Sequence, residues 1–334
     1  MKRKTQIFLA IFAVAITAFF ISRNKPTSLT ESAKPSDAPI DEITAGYLPM
    51  VSSLTYFVAE EKGYFAKQRL KVKARPLPTS NAIAEDLLRG NIDVAIELSV
   101  VPLITADDGK LLYRIFSTSK ITGEEGMAFD GVIVREDSPI KELKDLAGKK
   151  VTVFPGTTAE RTFASVFHGL YPDLLMPTFT PKVPAQHLQS LLNGESDALH
   201  AYEPFLSEGI VEHKCRKIYG SVYWAQTTPD PSPIGVGAVN SRWLAENPET
   251  ARRFFAAIDE AVAFIEKDLE QSREILARWT DKSVRVTSRM NIMPMSPSAS
   301  LDRKALQRYI VKLVEMNEIK AAPAVDSISI SNRK

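Results

Sequence analysis

Leu87-Leu88-Arg89-Gly90-Asn91-Ile92-Asp93-Val94-Ala95 is echoed 104 positions later by Leu191-Leu192-Asn193-Gly194-Glu195-Ser196-Asp197-Ala198-Leu199. In each copy the apolar end of a helix meets a glycine stop, a short turn carries an aspartate, and an apolar run starts a strand. Each copy follows an extended, proline-containing stretch (Pro76 and Pro78; Pro181 and Pro184), and each runs into another proline, Pro102 or Pro204. One unit used twice with matching flanks predicts two similar α/β halves. The surroundings agree. A strand is predicted from Ile43 to Tyr47, ending at Leu48-Pro49, then a helix through Leu54, Tyr56, Phe57 and Ala59 that stops at Gly63. Leu70–Ala74 reads as a strand, 81–88 as a helix and 92–98 as a strand, with further strands at 129–134 and 151–154. Strand–helix alternation at this spacing predicts an α/β fold with mostly parallel sheets flanked by helices. The last third is helical. Pro248 stands at a first helical position after Asn247, and Phe254, Phe255, Ile258, Ala261, Val262 and Ile265 recur at helical spacing. Two more helices are predicted, one around Ile275, Leu276 and Trp279 and one around Leu306, Ile310, Leu313 and Val314. Residues 324–334 read as a flexible tail.

Composition narrows the function. The chain has 334 residues, with 42 Lys and Arg against 40 Asp and Glu, so it carries no basic surplus for nucleic acid. At 44% hydrophobic and 25% charged it is an ordinary globular chain, long enough for two domains. Cys215 is the single cysteine, which excludes an intramolecular disulfide and a cysteine-based metal cage. His168, His187, His200 and His213 show no paired spacing, and neither a phosphate loop nor a dinucleotide fingerprint appears, so no metal or cofactor is expected. Lys2, Arg3 and Lys4 precede an apolar run from Ile7 to Ile21, closed by Arg23 and Lys25. Residues 1–22 therefore read as a signal peptide or an N-terminal membrane anchor. As a helix the run spans roughly 22 Å, short of the ~30 Å hydrocarbon core. Residues 23–42, with Pro26, Pro35 and Pro39, read as a tether, which puts the body in the periplasm or otherwise outside the cytoplasmic membrane.

Several segments together resemble one family. They are Phe57-Val58-Ala59-Glu60-Glu61-Lys62-Gly63-Tyr64-Phe65, Arg89–Ala95, Leu143-Lys144-Asp145-Leu146-Ala147-Gly148-Lys149-Lys150-Val151, Gly156-Thr157-Thr158, Ala201-Tyr202-Glu203-Pro204-Phe205 and Asn247-Pro248-Glu249-Thr250. In this order they resemble the extracytoplasmic solute-binding proteins of ABC importers in the nitrate, sulfonate and taurine group. The resemblance covers about residues 43–280. It implies a two-lobed type II periplasmic-binding-protein fold, joined by two crossing strands and closing on a small solute that is passed to a membrane permease. The chain would cross near Arg135 and return near Pro233. Lobe one would comprise 43–135 and 233–323, and lobe two 136–232. A monomer is expected, and the alternative role is a membrane-tethered sensor or binding module that reports a solute without transport. The family's enzyme relatives, which make the thiamine pyrimidine, carry a cysteine cluster. Cys215 stands alone, so a non-enzymatic role is expected.

In open α/β sheets ligands sit beyond the carboxyl ends of strands, where loops lead into helix starts. The candidates there are Leu48, Ser52 and Tyr56 after the first strand, Thr79 and Ser80 before the second helix, and Glu97 and Ser99 at the end of the first repeat strand. In the second half they are Gly156, Thr157, Thr158, Tyr202 and Glu203. Gly156-Thr157-Thr158 combines a tight turn, two hydroxyls and the free N–H groups of a helix start, which suits a sulfonate, nitrate or carboxylate. Thr157 with Glu160 can also be read as a capping box that only closes the helix. Glu97 and Glu203 read as the matching ends of the two repeat units, favouring a donor-rich or cationic part of the solute.

Overall fold

The two copies of the repeated unit fold alike. Gly90 and Gly194 stop their helices in the left-handed region, at φ 77° and 74°. Such a turn favours glycine because it has no Cβ. Behind them Asn91 donates its N–H to the Asp86 carbonyl at 2.8 Å, and Glu195 to the Ser190 carbonyl at 2.9 Å. The two aspartates do the same work. Asp93 N–H donates to the Thr44 carbonyl and Asp197 N–H to the Lys150 carbonyl. In return the Asp93 carboxylate accepts from Thr44 N at 2.7 Å, and Asp197 from Lys150 N at 2.8 Å. Each aspartate thus stitches the start of its strand to the neighbouring one.

The computed structural model describes residues 39–121, 129–223, 232–293 and 295–330. The apolar segment 1–22, most of the tether and residues 331–334 lie outside them. In chain order the strands are β1 (Asp41–Tyr47), β2 (Leu70–Pro76), β3 (Val94–Ser99), β4 (Tyr113–Ile121), β5 (Asp130–Arg135), β6 (Lys150–Val153), β7 (Thr178–Pro181), β8 (Ala198–Tyr202), β9 (Cys215–Tyr219), β10 (Ser232–Asn240) and β11 (Met295–Ser296). They form two sheets with helices on their faces, in the orders β11-β4-β10-β3-β1-β2 and β7-β6-β8-β5-β9. With β11 set aside, the first sheet reads β2-β1-β3-β10-β4 and matches the second position by position.

Both sheets are mixed rather than mostly parallel. β1 runs parallel to β2 and β3, and β6 to β7 and β8. β10 is antiparallel to β3 and β4, and β5 to β8 and β9. The reason is connectivity. β10 and β5 each arrive from the other half and wedge between the last two strands of a series built on helical crossovers, so they run against their neighbours. Pairing of Asp130–Ile133 with Leu199–Tyr202 puts β5 in the second sheet. The outgoing crossing therefore lies before Asp130 and not near Arg135, and the chain is back in the first sheet at β10. Asp41 and Glu42, expected in the tether, are already strand.

Aromatic packing holds the first half. Phe57 stacks on Trp279 at 4.8 Å, Phe65 on Phe254 at 5.4 Å and Phe116 on Phe255 at 4.8 Å. This joins the sheet to the helix Pro248–Lys267, whose buried stripe is the one read from its spacing. The tail departs from expectation. Val325–Ile328 forms a helical turn, Val325 and Ile328 are buried, and Ile330 N–H bonds the Ile115 carbonyl. An apolar pair three residues apart has a face to bury, and it docks this segment on the body.

Candidate functional site

The carboxyl ends of β1, β3, β6 and β8 open onto a cavity of about 110 Å³ drawn from both sheets. Eight of the expected residues line it: Leu48, Ser52, Ser80, Glu97, Ser99, Gly156, Thr158 and Tyr202. Asn81, next to Ser80 in the same expected loop, lines it too, whereas sequence reasoning missed Phe129, Phe154, Tyr223, Gly235 and Met293.

Three expected residues lie elsewhere. Tyr56 is buried in the first half's aromatic core, 5.3 Å from Tyr47 and 5.5 Å from Trp279 between ring centres. The helix Leu54–Glu61 turns it toward the helix 269–280 and away from the cavity. Thr79 caps the helix Ser80–Arg89, its hydroxyl accepting from Ala82 N at 3.1 Å. Glu203 closes the helix Phe205–Glu212 by accepting from Ser207 Oγ at 2.7 Å and Ser207 N at 3.1 Å, and it also takes the Asn291 N–H from the first half. At the 104-residue offset the twin of Glu203 is Ser99, which caps the helix Val100–Asp107 by accepting from Val101 N at 3.4 Å. Glu97 and Glu203 are therefore not a matched pair. Burial pushes the Glu203 carboxyl up to about 7. The side chain of Thr157 lies outside what the structure describes.

Glu97 is the carboxyl of the cavity. It is 4% exposed and accepts the Ser119 hydroxyl of β4 at 2.5 Å. Burial pushes it up to about 8, partly offset by Ser119. Its room comes from Gly235 of β10, where a Cβ would overlap both Ser119 Oγ and Glu97 Oε1. A ring-lined wall stands in the same cavity. Phe129 lies 5.5 Å from Tyr202 and 5.6 Å from Tyr223, and Phe154 meets Tyr202 edge-on at 5.4 Å. The Tyr202 hydroxyl donates to that of Tyr223 at 3.3 Å.

That wall rests on Asp130, the first residue of β5. Its carboxylate accepts from His200 Nε2 at 2.9 Å, from Val222 N at 2.8 Å and from the Ser221 hydroxyl. His200 is fully buried behind Tyr202, with ring centres 4.9 Å apart.

The helix Thr157–Leu170 begins differently from those capped by Thr79 and Ser99. Its N-cap is Gly156, at φ 114°, with no side chain to accept from the first turn. A Cβ on Gly156 would stand 3.0 Å from Asn81 Oδ1 of the other half, so the loops of the two halves approach closely here. Arg161 points elsewhere, 3.9 Å from the buried Glu318. On the other flank Lys282 pairs with Glu208 at 2.9 Å, and the Ser283 hydroxyl donates to Glu212 at 2.6 Å. Glu208, Glu212 and His213 are close enough to share a metal ion, but these contacts already engage both carboxylates.

Comparison with known proteins agrees with this architecture. A Bacillus subtilis (strain 168) protein named for binding aliphatic sulfonates is 23% identical over 284 residues, covering 84% of this chain and 76% of that one. The alkanesulfonate-binding protein SsuA of Xanthomonas axonopodis pv. citri, solved bound to MOPS, superposes with a TM-score of 0.69 at 17% identity, covering 88% of this chain and 99% of that one. The desulfurization enzyme DszB superposes with a TM-score of 0.62 at 15% identity, covering 86% of this chain and 96% of that one. The fold is thus the two-lobed α/β fold of periplasmic binding proteins, one sheet to each lobe. Residues 51–272 match the family model described as NMT1/THI5 like, and the chain belongs to that family.

Proposed function

We propose that this chain is the solute-binding component of an ABC importer. It captures a small organic molecule with an acidic group by lobe closure and delivers it unchanged to a membrane permease. The observation that carries this reading is a cavity drawn from strand ends and helix starts of both sheets, so that one guest would bridge the two halves. Such a guest shifts a hinge equilibrium toward the closed form. The helix start at Gly156, without a side-chain cap and next to the Thr158 hydroxyl, suits the acidic group, and the sulfonate-binding relative argues for a sulfonate or a similar anion. Binding is favoured over turnover because no Cys, His or Lys lines the cavity among the described residues, and the only hydrogen bond of its carboxyl is to Ser119. In this reading the body works as a monomer outside the cytoplasmic membrane, exported or held there by residues 1–22.

A thermal-shift panel of sulfonates, nitrate, bicarbonate, aminopyrimidines and aromatic acids, followed by small-angle scattering, tests it. A solute at 100 times its dissociation constant adds about 2.7 kcal/mol of stability. The correct solute should raise Tm and compact the particle. No shift and an unchanged profile across the panel would overturn the reading.

A further inference from the structure

The carboxyl of Glu97 has no counter-ion among the described residues. Among the described residues that line the cavity there is no Lys, Arg or His, and the hydrogen bond from Ser119 engages only Oε1. Oε2 has no hydrogen-bond partner among the described residues, and the side chain that carries it lines the cavity. Burying a carboxyl in this way is unfavourable unless it is paired or stays protonated. The fold nevertheless maintains the arrangement, because Gly235 of β10 leaves room for Glu97 and Ser119 where any side chain would collide. Phe129, Tyr202 and Tyr223 line the same space. Aromatic faces next to a carboxylate are the surroundings that stabilise an organic ammonium group.

Resting on the solute-binding reading above, we infer that the solute carries a protonated amine, and that Glu97 is the residue that selects it. The amine supplies the charge that the protein withholds, and its N–H groups occupy the open oxygen. With an acidic group at the Gly156 helix start, the guest is zwitterionic. Meeting the amine converts Glu97 from carboxylic acid to carboxylate. The other titratable groups of the cavity, Tyr202 and Tyr223, are held protonated by burial and take no part.

Calorimetry on the mature body, wild type and Glu97→Gln, tests this with matched probes: 2-aminoethanesulfonate and benzylamine against 2-hydroxyethanesulfonate and benzyl alcohol. At least one amine should bind 10-fold or more tighter than its hydroxyl partner. Its binding at pH 7 should release a proton, read as a heat that varies with the ionisation enthalpy of the buffer. Glu97→Gln, which keeps size and the Ser119 bond, should erase both the preference and the proton release. Failure of both amines to bind, or an amine preference that survives Glu97→Gln, overturns the inference. If sulfonates without an amine bind and compact the wild type while the amines do not, the role of Glu97 falls and the solute-binding reading stands. If nothing in the wider panel binds, both fall.

Discussion

A glycine and a carboxyl that depend on each other define the chemistry of the cavity. Glu97 fits only because Gly235 carries nothing there. Gly235→Ala should therefore displace the Glu97–Ser119 pair, costing about 1–3 kcal/mol as overpacking does and weakening solute binding, both read by chemical denaturation and calorimetry. Glu97 itself lowers stability at neutral pH. An ordinary glutamate ionises near 4.5, whereas this one is pushed up to about 8, so between those values the folded protein holds a proton that the unfolded chain releases. Stability from this site falls as pH rises through that window. Glu97→Gln should remove the decline and stabilise the solute-free protein by about 4 kcal/mol at pH 8, while changing little at pH 4. Thr158→Ala should leave the unfolding free energy within about 1 kcal/mol of wild type and weaken solute binding, since its side chain is only half-buried at the cavity wall. An unchanged dissociation constant would remove that hydroxyl from the site.

Among the elements, β5 carries the most responsibility. Asp130 at its start receives His200 from β8 and the segment Ser221–Tyr223, and so ties together the two chain segments that flank the crossings. Asp130→Ala leaves several buried donors unsatisfied at once, each costing about 1–3 kcal/mol. A loss of about 3–5 kcal/mol in urea unfolding is expected, together with weaker solute binding as Tyr202 and Tyr223 lose their support. Much of this architecture was legible in the sequence, for a physical reason. Helix stop, aspartate turn and strand are local chemistry, so the unit at 87–95 announced its twin and the α/β class. Loops after strands could be named, and eight of their residues do line the cavity. Legibility ended where partners are distant in the chain. Glu203 looked like the twin of Glu97, but strand register decides which side chain enters a cleft, and one step along β8 separates a cavity wall, Tyr202, from a helix cap. Phe129, Tyr223 and Gly235 flank the crossings. Only the insertion of β10 and β5 between other strands brings them to the site, and no local spacing encodes that insertion. Tyr56 fits a helix stripe equally well facing the core or the cleft, and Trp279, far along the chain, decides between them.

At the scale of the whole molecule, the buried acids combine with closure. Glu97 lines the cavity, Glu203 of the second half takes an N–H from Asn291 of the first, and Glu318 of the first half faces Arg161 of the second. Burial raises all three, to about 8 for Glu97 and about 7 for Glu203. Each binds a proton when folded that it loses when unfolded, so together they lower stability as pH climbs from about 4.5 toward 8. His187 acts in the opposite sense over a lower range. Burial holds its ring neutral, with the value lowered to about 4 against 6.5 for an ordinary histidine, so the unfolded chain takes up the extra proton and stability rises with pH across that interval. The Asp41 carboxylate, lowered by its bonds to Thr250 and Arg253, and that of Asp302, lowered mainly by the Ala305 N–H, add a further rise with pH below about 4. The sum is a stability maximum near pH 5, with a decline of about 1.4 kcal/mol per pH unit for each proton of difference on the alkaline side. Melting temperatures of the solute-free protein from pH 4 to 9 should trace that asymmetric dome, and Glu97→Gln should flatten its alkaline limb. If Glu97 meets a cation on closure, saturating the wild type with that solute should flatten the same limb without any mutation, because the folded protein no longer holds the proton. A limb equally steep with and without solute would mean that the guest leaves Glu97 unpaired.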